Sequence, residues 1–146
     1  MSAVRQAVAA DLPQMWEVRY SVTENTLAPG RINDDEFRQA IQVTGRGWVI
    51  EAVNHEAEAQ IQAFAVGNGI TGNVWALFVR PQAQGRGYGS RLHTAMLEWF
   101  HTQKVELLWL STGTHTQARK FYEKHGWQCV GPYGDDEVRY ERPNPA

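Results

Sequence analysis

Gln84-Gly85-Arg86-Gly87-Tyr88-Gly89-Ser90 sets three glycines at alternate positions, between a strand-forming run and a stretch of helical periodicity. Unpaired backbone amides and the positive end of a helix dipole meet at such a junction, so the loop has the chemistry to hold an anion. Glycine at 85, 87 and 89 permits positive φ and removes Cβ atoms, letting successive amides converge on a pyrophosphate, while Arg86 adds charge at the rim. A tight strand-to-helix turn that holds nothing uses the same residues, and the loop alone does not choose. Two well-defined phosphate loops can be tested against these residues. The Walker A string G-x-x-x-x-G-K-[ST] does not occur. The glycines run G-x-G-x-G rather than G-x-G-x-x-G, and Ser111 rather than an acid follows Leu110, which weakens a nicotinamide reading. The five histidines form no H-x-x-x-H pair, so no metal site is expected. Cys129, the single cysteine, reads as a small buried hydrophobe, which disfavours an acyl-cysteine route.

The elements that must position this loop follow from periodicity. Val4 to Val8 reads as a strand, and Asp11 as the N-cap of a helix that packs by Leu12, Met15, Trp16 and Tyr20. Asn33 to Glu36 is an N-x-x-E capping box opening a second helix, with Ile32 and Phe37 placed as a hydrophobic staple. The polar stretch between the helices, broken by Pro29 and Gly30, reads as a loop able to line a pocket. Trp48 to Val53 and Ile61 to Val66 read as an antiparallel hairpin, and Asn73 to Val79 as a further strand that runs into the glycine loop. A helix from about Tyr88 to His101 then buries Leu92, Ala95, Met96 and Trp99. Val105 to Leu110 reads as a strand, Thr116 to Lys124 as a helix, and the stretches at Gln128 to Val130 and Glu137 to Tyr140 as short closing strands.

Composition bounds what these elements can be. The 146 residues suit a single domain, 1–146, and 42% hydrophobic residues with 11% aromatic supply a core. Fourteen basic and sixteen acidic side chains leave a formal charge of -2, which disfavours a generic nucleic-acid surface. No apolar run approaches the ~18 to 20 residues of a membrane span, and the first residues lack the apolar stretch of a secretory signal. A soluble protein of the reducing cytoplasm is expected.

Two segments together resemble one family. Gln84 to Gly89 matches Q-x-x-G-x-G after a strand ending Val79-Arg80-Pro81, and Ala118-Arg119-Lys120-Phe121-Tyr122-Glu123-Lys124-His125-Gly126-Trp127 matches A-x-x-[LF]-Y-x-x-x-G-[FW]. Both are similar to signatures of the GNAT superfamily of acetyl-CoA-dependent N-acetyltransferases, in order and spacing, and the element order extends the likeness over nearly the whole chain. The resemblance implies an α/β chain of the α+β type: a central mixed, mostly antiparallel sheet, splayed after the fourth strand and flanked by about four helices. It implies acetyl-CoA as cosubstrate, with pantetheine paired to backbone around Phe78 and Val79. An amide near Val79 would then act as an oxyanion donor, and the amides of Gly85, Arg86, Gly87, Tyr88, Gly89 and Ser90 would face the pyrophosphate. Ala118 and Phe121 would pack on the far side of the cofactor, with Tyr122 directed at the sulfur as general acid for the departing thiolate.

The sequence departs from this pattern in two places. Val74 to Leu77 offer no carboxylate where some relatives carry a glutamate, which leaves Glu24, or a water it holds, as the possible general base or substrate contact; a solvated surface charge is the other reading. His115 stands where the family often has a cofactor-touching asparagine, and reads equally as an exposed loop histidine. Arg19, Glu24, Asn25 and Arg31 would border the acceptor. The acidic turn Gly134-Asp135-Asp136-Glu137 either attracts a cationic amine or is simply solvated, and the strand tryptophans read as core. The function implied is acetyl transfer to a primary amine of a small molecule or peptide by direct ternary-complex attack, without nucleic acid, membrane or metal. A non-catalytic acyl-CoA binding or sensing module is the alternative, and exposed strand edges leave a homodimer open.

Overall fold

Period-two stretches pair as two antiparallel sheets in the computed structural model, which describes residues 3–22, 32–53 and 56–144. The first sheet holds β1 (Ala3–Gln6), β2 (Gly45–Val53), β3 (Ala59–Asn68) and β4 (Val74–Val79), in that order. The second holds β5 (Leu107–Gly113), β7 (Glu137–Pro143) and β6 (Gln128–Tyr133), with β7 in the middle. Helices α1 (Leu12–Ser21), α2 (Asp34–Gln42), α3 (Tyr88–Phe100) and α4 (Ala118–Lys124) complete the α+β architecture. Mixed pairing survives at one point, a parallel bridge between Asn73 and Trp109, beyond which β4 and β5 part. Asn73 Nδ2 donates to Trp109 O at 3.3 Å and Trp109 N donates to Gly72 O at 3.0 Å, so the two sheets are pinned where β4 begins.

Both faces of the first sheet are covered, which is why β3 is apolar without a break from Ala63 to Gly67. Ala63 and Ala65 face α3 together with Trp48 and Ile50, and meet Leu92, Met96 and Phe100 in one core. Phe64, Val66 and Val49 face α1 and α2, where Met15, Val18, Phe37 and Ile41 close a second core. Small residues let α3 lie close: a Cβ on Gly67 would stand 2.7 Å from Phe100 Cζ. Asn33 Oδ1 accepts from Glu36 N at 2.8 Å, and Glu36 Oε1 accepts from Asn33 N at 3.4 Å, so the capping box forms as expected and fixes where α2 starts.

Several details differ from the sequence expectations. Val18 is fully buried on α1, while Tyr20 is half exposed and stacks on Trp16, because the helix presents positions 12, 15 and 18 to the sheet. The Asp11 carboxylate does not cap α1. It accepts from Val8 N and from both Arg5 Nη atoms at 2.8 Å, tying the first turn to β1, and Arg5 holds its pKa below the usual carboxylate range. On α3 the buried stripe is Tyr88, Leu92, Met96 and Phe100 with His93 beside it, which leaves Ala95 and Trp99 on the flank. Cys129 is exposed rather than buried, because β6 is the uncovered edge of its sheet.

Candidate functional site

The parting of β4 from β5 opens a cavity of about 480 Å³, within the range of small-molecule sites. Leu77, Phe78 and Val79 form its floor, Pro81, Gln84 and Gly89 one end, and Gln117, Ala118, Phe121 and Tyr122 the wall opposite β4, with Val22 at the end of α1. A register shift between Val66 and Gly67 leaves Trp75 without a pairing partner on β3. This bulge turns Trp75 and Ala76 toward α1 and α2, while Leu77 and Val79 face α3.

The glycine loop closes one end of the cavity. Gly85 and Gly87 have φ of +80° and +81°, the left-handed region, while a Cβ on either would meet nothing within 4 Å. Conformation rather than crowding therefore demands glycine there. Gly89 differs: it is helical, and a Cβ there would rest in ordinary contact with the Phe121 ring at 3.4 Å. Gly87 is the N-cap of α3, and Arg91 N makes the first backbone return, to Gly87 O at 3.1 Å, which leaves the first-turn amides of Tyr88, Gly89 and Ser90 outside the helix ladder. Arg86 is exposed at the rim, whereas the Tyr88 ring is buried in the core, so only its amide is offered to a ligand.

The opposite wall is held by a polar lattice. Tyr140 donates to Glu123 Oε2 at 2.6 Å and accepts from Arg119 Nε at 2.9 Å, fixing α4 on β7. Tyr122 is 6% exposed, and burial raises its phenol above the ordinary tyrosine value, so it stays protonated throughout the physiological range. Among the described residues its hydroxyl has no hydrogen-bond partner.

A histidine cluster that sequence reasoning missed joins α3 to α4. The Phe121 carbonyl can only accept, so His125 Nδ1 carries the proton and donates at 2.8 Å, leaving Nε2 to accept from Ser90 Oγ at 3.2 Å. The His125 ring stacks on Phe121 with centroids 4.2 Å apart. Trp127 Nε1 donates to His93 Nε2 at 2.9 Å, which requires a neutral imidazole, and burial beside His125 and Arg142 pushes His93 down to about 4. Ser90 thus commits its hydroxyl to the helix pair, while its amide stays outside the helix ladder. The G-W that ends the second motif, followed back to a histidine one residue earlier, was the signal available.

On the α1/α2 side of β4 lies a smaller recess, lined by Trp16, Phe37, Phe64, Trp75 and Phe78 together with Arg19. Phe78 is also part of the larger cavity, so one residue borders both. The Arg19 guanidinium lies 4.4 Å from the Phe78 ring centroid, and burial lowers its pKa from the ordinary arginine value.

Against this geometry, residues 44–129 match the family model of the acetyltransferase (GNAT) domain. The chain belongs to the GNAT acetyltransferase family. No curated protein matches it in sequence. Solved GNAT-fold structures superpose over nearly its full length. The ribosomal-protein-S18-alanine N-acetyltransferase of Escherichia coli is 17% identical at a TM-score of 0.75, covering 100% of this chain and 96% of that one. The PaiA N-acetyltransferase of Thermoplasma acidophilum, in complex with coenzyme A, is 13% identical at 0.78, covering 98% and 99%. YncA of Salmonella typhimurium, with its cofactor acetyl-CoA, is 14% identical at 0.77, covering 100% and 95%.

Of the residues expected at the site of this GNAT chain, Phe78, Val79, Gln84, Gly89, Ala118, Phe121 and Tyr122 line one cavity, and Gly85, Arg86, Gly87, Tyr88 and Ser90 follow as the loop and helix start beside it. Leu77, Pro81, Gln117 and Val22 line it as well and carried no motif signal. Glu24, Asn25 and Arg31 lie outside the described residues. His115 is exposed in the turn before α4 and does not line the cavity. Among the described residues no group of three or more metal-ligating side chains occurs, and no helix is long and apolar enough to cross a membrane.

Proposed function

We propose that residues 1–146 act as one N-acetyltransferase domain that moves an acetyl group from acetyl-CoA to a primary amine in a ternary complex. The observation that carries this reading is the cavity between the parted strands, with the glycine-loop amides at one end and the Tyr122 phenol on its wall. Pantetheine lies along Phe78 and Val79, and the pyrophosphate meets the amides from Gly85 to Ser90. Ala118 and Phe121 pack on the far side. The neutral amine nitrogen attacks the thioester carbon: the C–N bond forms, the C–S bond breaks, and an amide near Val79 steadies the developing oxyanion. Sulfur takes the Tyr122 proton, and the proton shed by nitrogen returns the phenolate to phenol through water. Glu24 is the candidate to accept that proton on the way, since β4 offers no carboxylate.

Tyr122 has a limit set by its own burial. A thiol ionises near 8.5, well below this phenol, so the proton moves only as the C–S bond breaks. The test is thiol release from acetyl-CoA across amines, amino acids, polyamines and peptides, beside a calorimetric titration of acetyl-CoA. Amine-dependent release is expected, with Tyr122→Phe lowering kcat about 100-fold, the low end for general acid catalysis. Tight binding without release from any amine would replace the transferase with a sensing module. No binding would remove both.

A further inference from the structure

We infer that the acceptor is a free amino acid with an apolar side chain, its carboxylate held by Arg19 and its side chain in the aromatic recess on the α1/α2 face of β4. The inference rests on the transferase reading above and adds the substrate class. Phe78 places the recess against the larger cavity, so a group seated there can present its amine past Phe78 to a thioester lying on β4. Among the described residues the lining of the recess is five aromatic residues, Ile32, Ala76 and one cation, with no carboxylate. Asp34 approaches only at the outer edge, where its Oδ1 accepts from Trp16 Nε1 at 2.6 Å. A polyamine or a lysine side chain would bring a second positive charge beside Arg19, at a like-charge penalty.

Arg19 is suited to a carboxylate. Its guanidinium is planar, carries five N–H donors and so serves more than one acceptor, and is oriented by its stacking over Phe78. The recess measures about 70 Å³, room for a few side-chain atoms and not for a folded protein segment. Arg19 and Val22 lie three residues apart on α1 and its end, so this one stretch borders the recess through Arg19 and the larger cavity through Val22. Pairing the carboxylate with Arg19 also cancels the negative charge that favours the adjacent ammonium, so more of the bound amine is neutral. That matters in a chain whose β4 lacks a carboxylate base.

The test compares valine, leucine and methionine, each beside its amide and its decarboxylated amine, in the thiol-release assay. Spermidine and a lysine-containing peptide serve as cationic acceptors. Each acid is expected to exceed its amide and its amine at least tenfold in kcat/KM. Arg19→Gln is expected to bring those ratios near one while acetyl-CoA affinity by calorimetry stays within twofold. Arg19→Lys, which keeps charge but loses the fork, is expected to fall between. Amides or amines equal to the acids in the wild-type chain would overturn the inference, a comparison that needs no variant to fold. Acetylation confined to spermidine or the peptide would do the same, as would acetyl-CoA binding with none of the acids acetylated. Failure of acetyl-CoA to bind would instead remove the transferase reading on which the inference stands.

Discussion

At the scale of single residues, burial sets protonation states on both helices that wall the cavity. Tyr122 and His93 sit on adjoining helices, and in both burial favours the neutral form: the phenol is held up and the imidazole held down. For His93 this has a consequence for stability. Its folded value of about 4 lies below the ordinary 6.5, so between those values the unfolded chain binds more protons. Stability from His93 is therefore complete above pH 6.5 and is lost as the pH falls through about 4, by roughly 3 kcal/mol. Urea unfolding at pH 7 and pH 4.5 should show the midpoint falling with acid. In His93→Leu most of that slope should vanish, at the expense of a buried Trp127 N–H without its acceptor. An unchanged slope would mean that His93 protonates in place.

At the scale of elements, the loop-to-helix junction before α3 holds two glycines in the left-handed region, Gly85 and Gly87. Gly87 is at once the N-cap of α3 and a left-handed residue at φ +81°. Gly87→Ala should cost about 1 to 2 kcal/mol through strain alone, since the added Cβ meets open space. The same change should raise the KM for acetyl-CoA, because the amides of the first turn would be re-aimed. A thermal melt together with a KM measurement checks both. Loss of stability with KM unchanged would show that the loop is only a turn. The capping box Asn33 to Glu36 and the strand, glycine loop and helix sequence at Val79 to Phe100 were legible because each depends on neighbours in the chain. The rotation of the α3 stripe from Ala95 and Trp99 to Tyr88 and Phe100 was not. It is set by the small residues Ala63, Ala65 and Gly67 of β3 against which the helix packs.

At the scale of the whole molecule, two sheets meet at a parallel bridge and part beside it around the cavity. A ligand lying along β4 and against α4 would join them. Acetyl-CoA at 100 times its Kd should stabilise the fold by about 2.7 kcal/mol. Protection from amide hydrogen exchange should concentrate in β4, the glycine loop and α4, and leave β1 and β2 unchanged. Uniform protection, or none in α4, would place the ligand elsewhere.

Local chemistry is what the sequence determined: alternation, helical stripes, a capping box and two motifs whose backbone requirements hold wherever they occur. Those features sufficed for the α+β order and the family resemblance. Tertiary structure alone decided which residues meet across distance. It set the core-facing positions of α1, exposed Cys129 on an edge strand, committed Ser90 to His125, and brought Arg19 over Phe78 between two cavities. The physical reason is that a strand or helix specifies its own backbone through adjacent residues, whereas the wall of a cavity is the sum of side chains from elements far apart in the chain, fixed only when the sheets part and the helices dock.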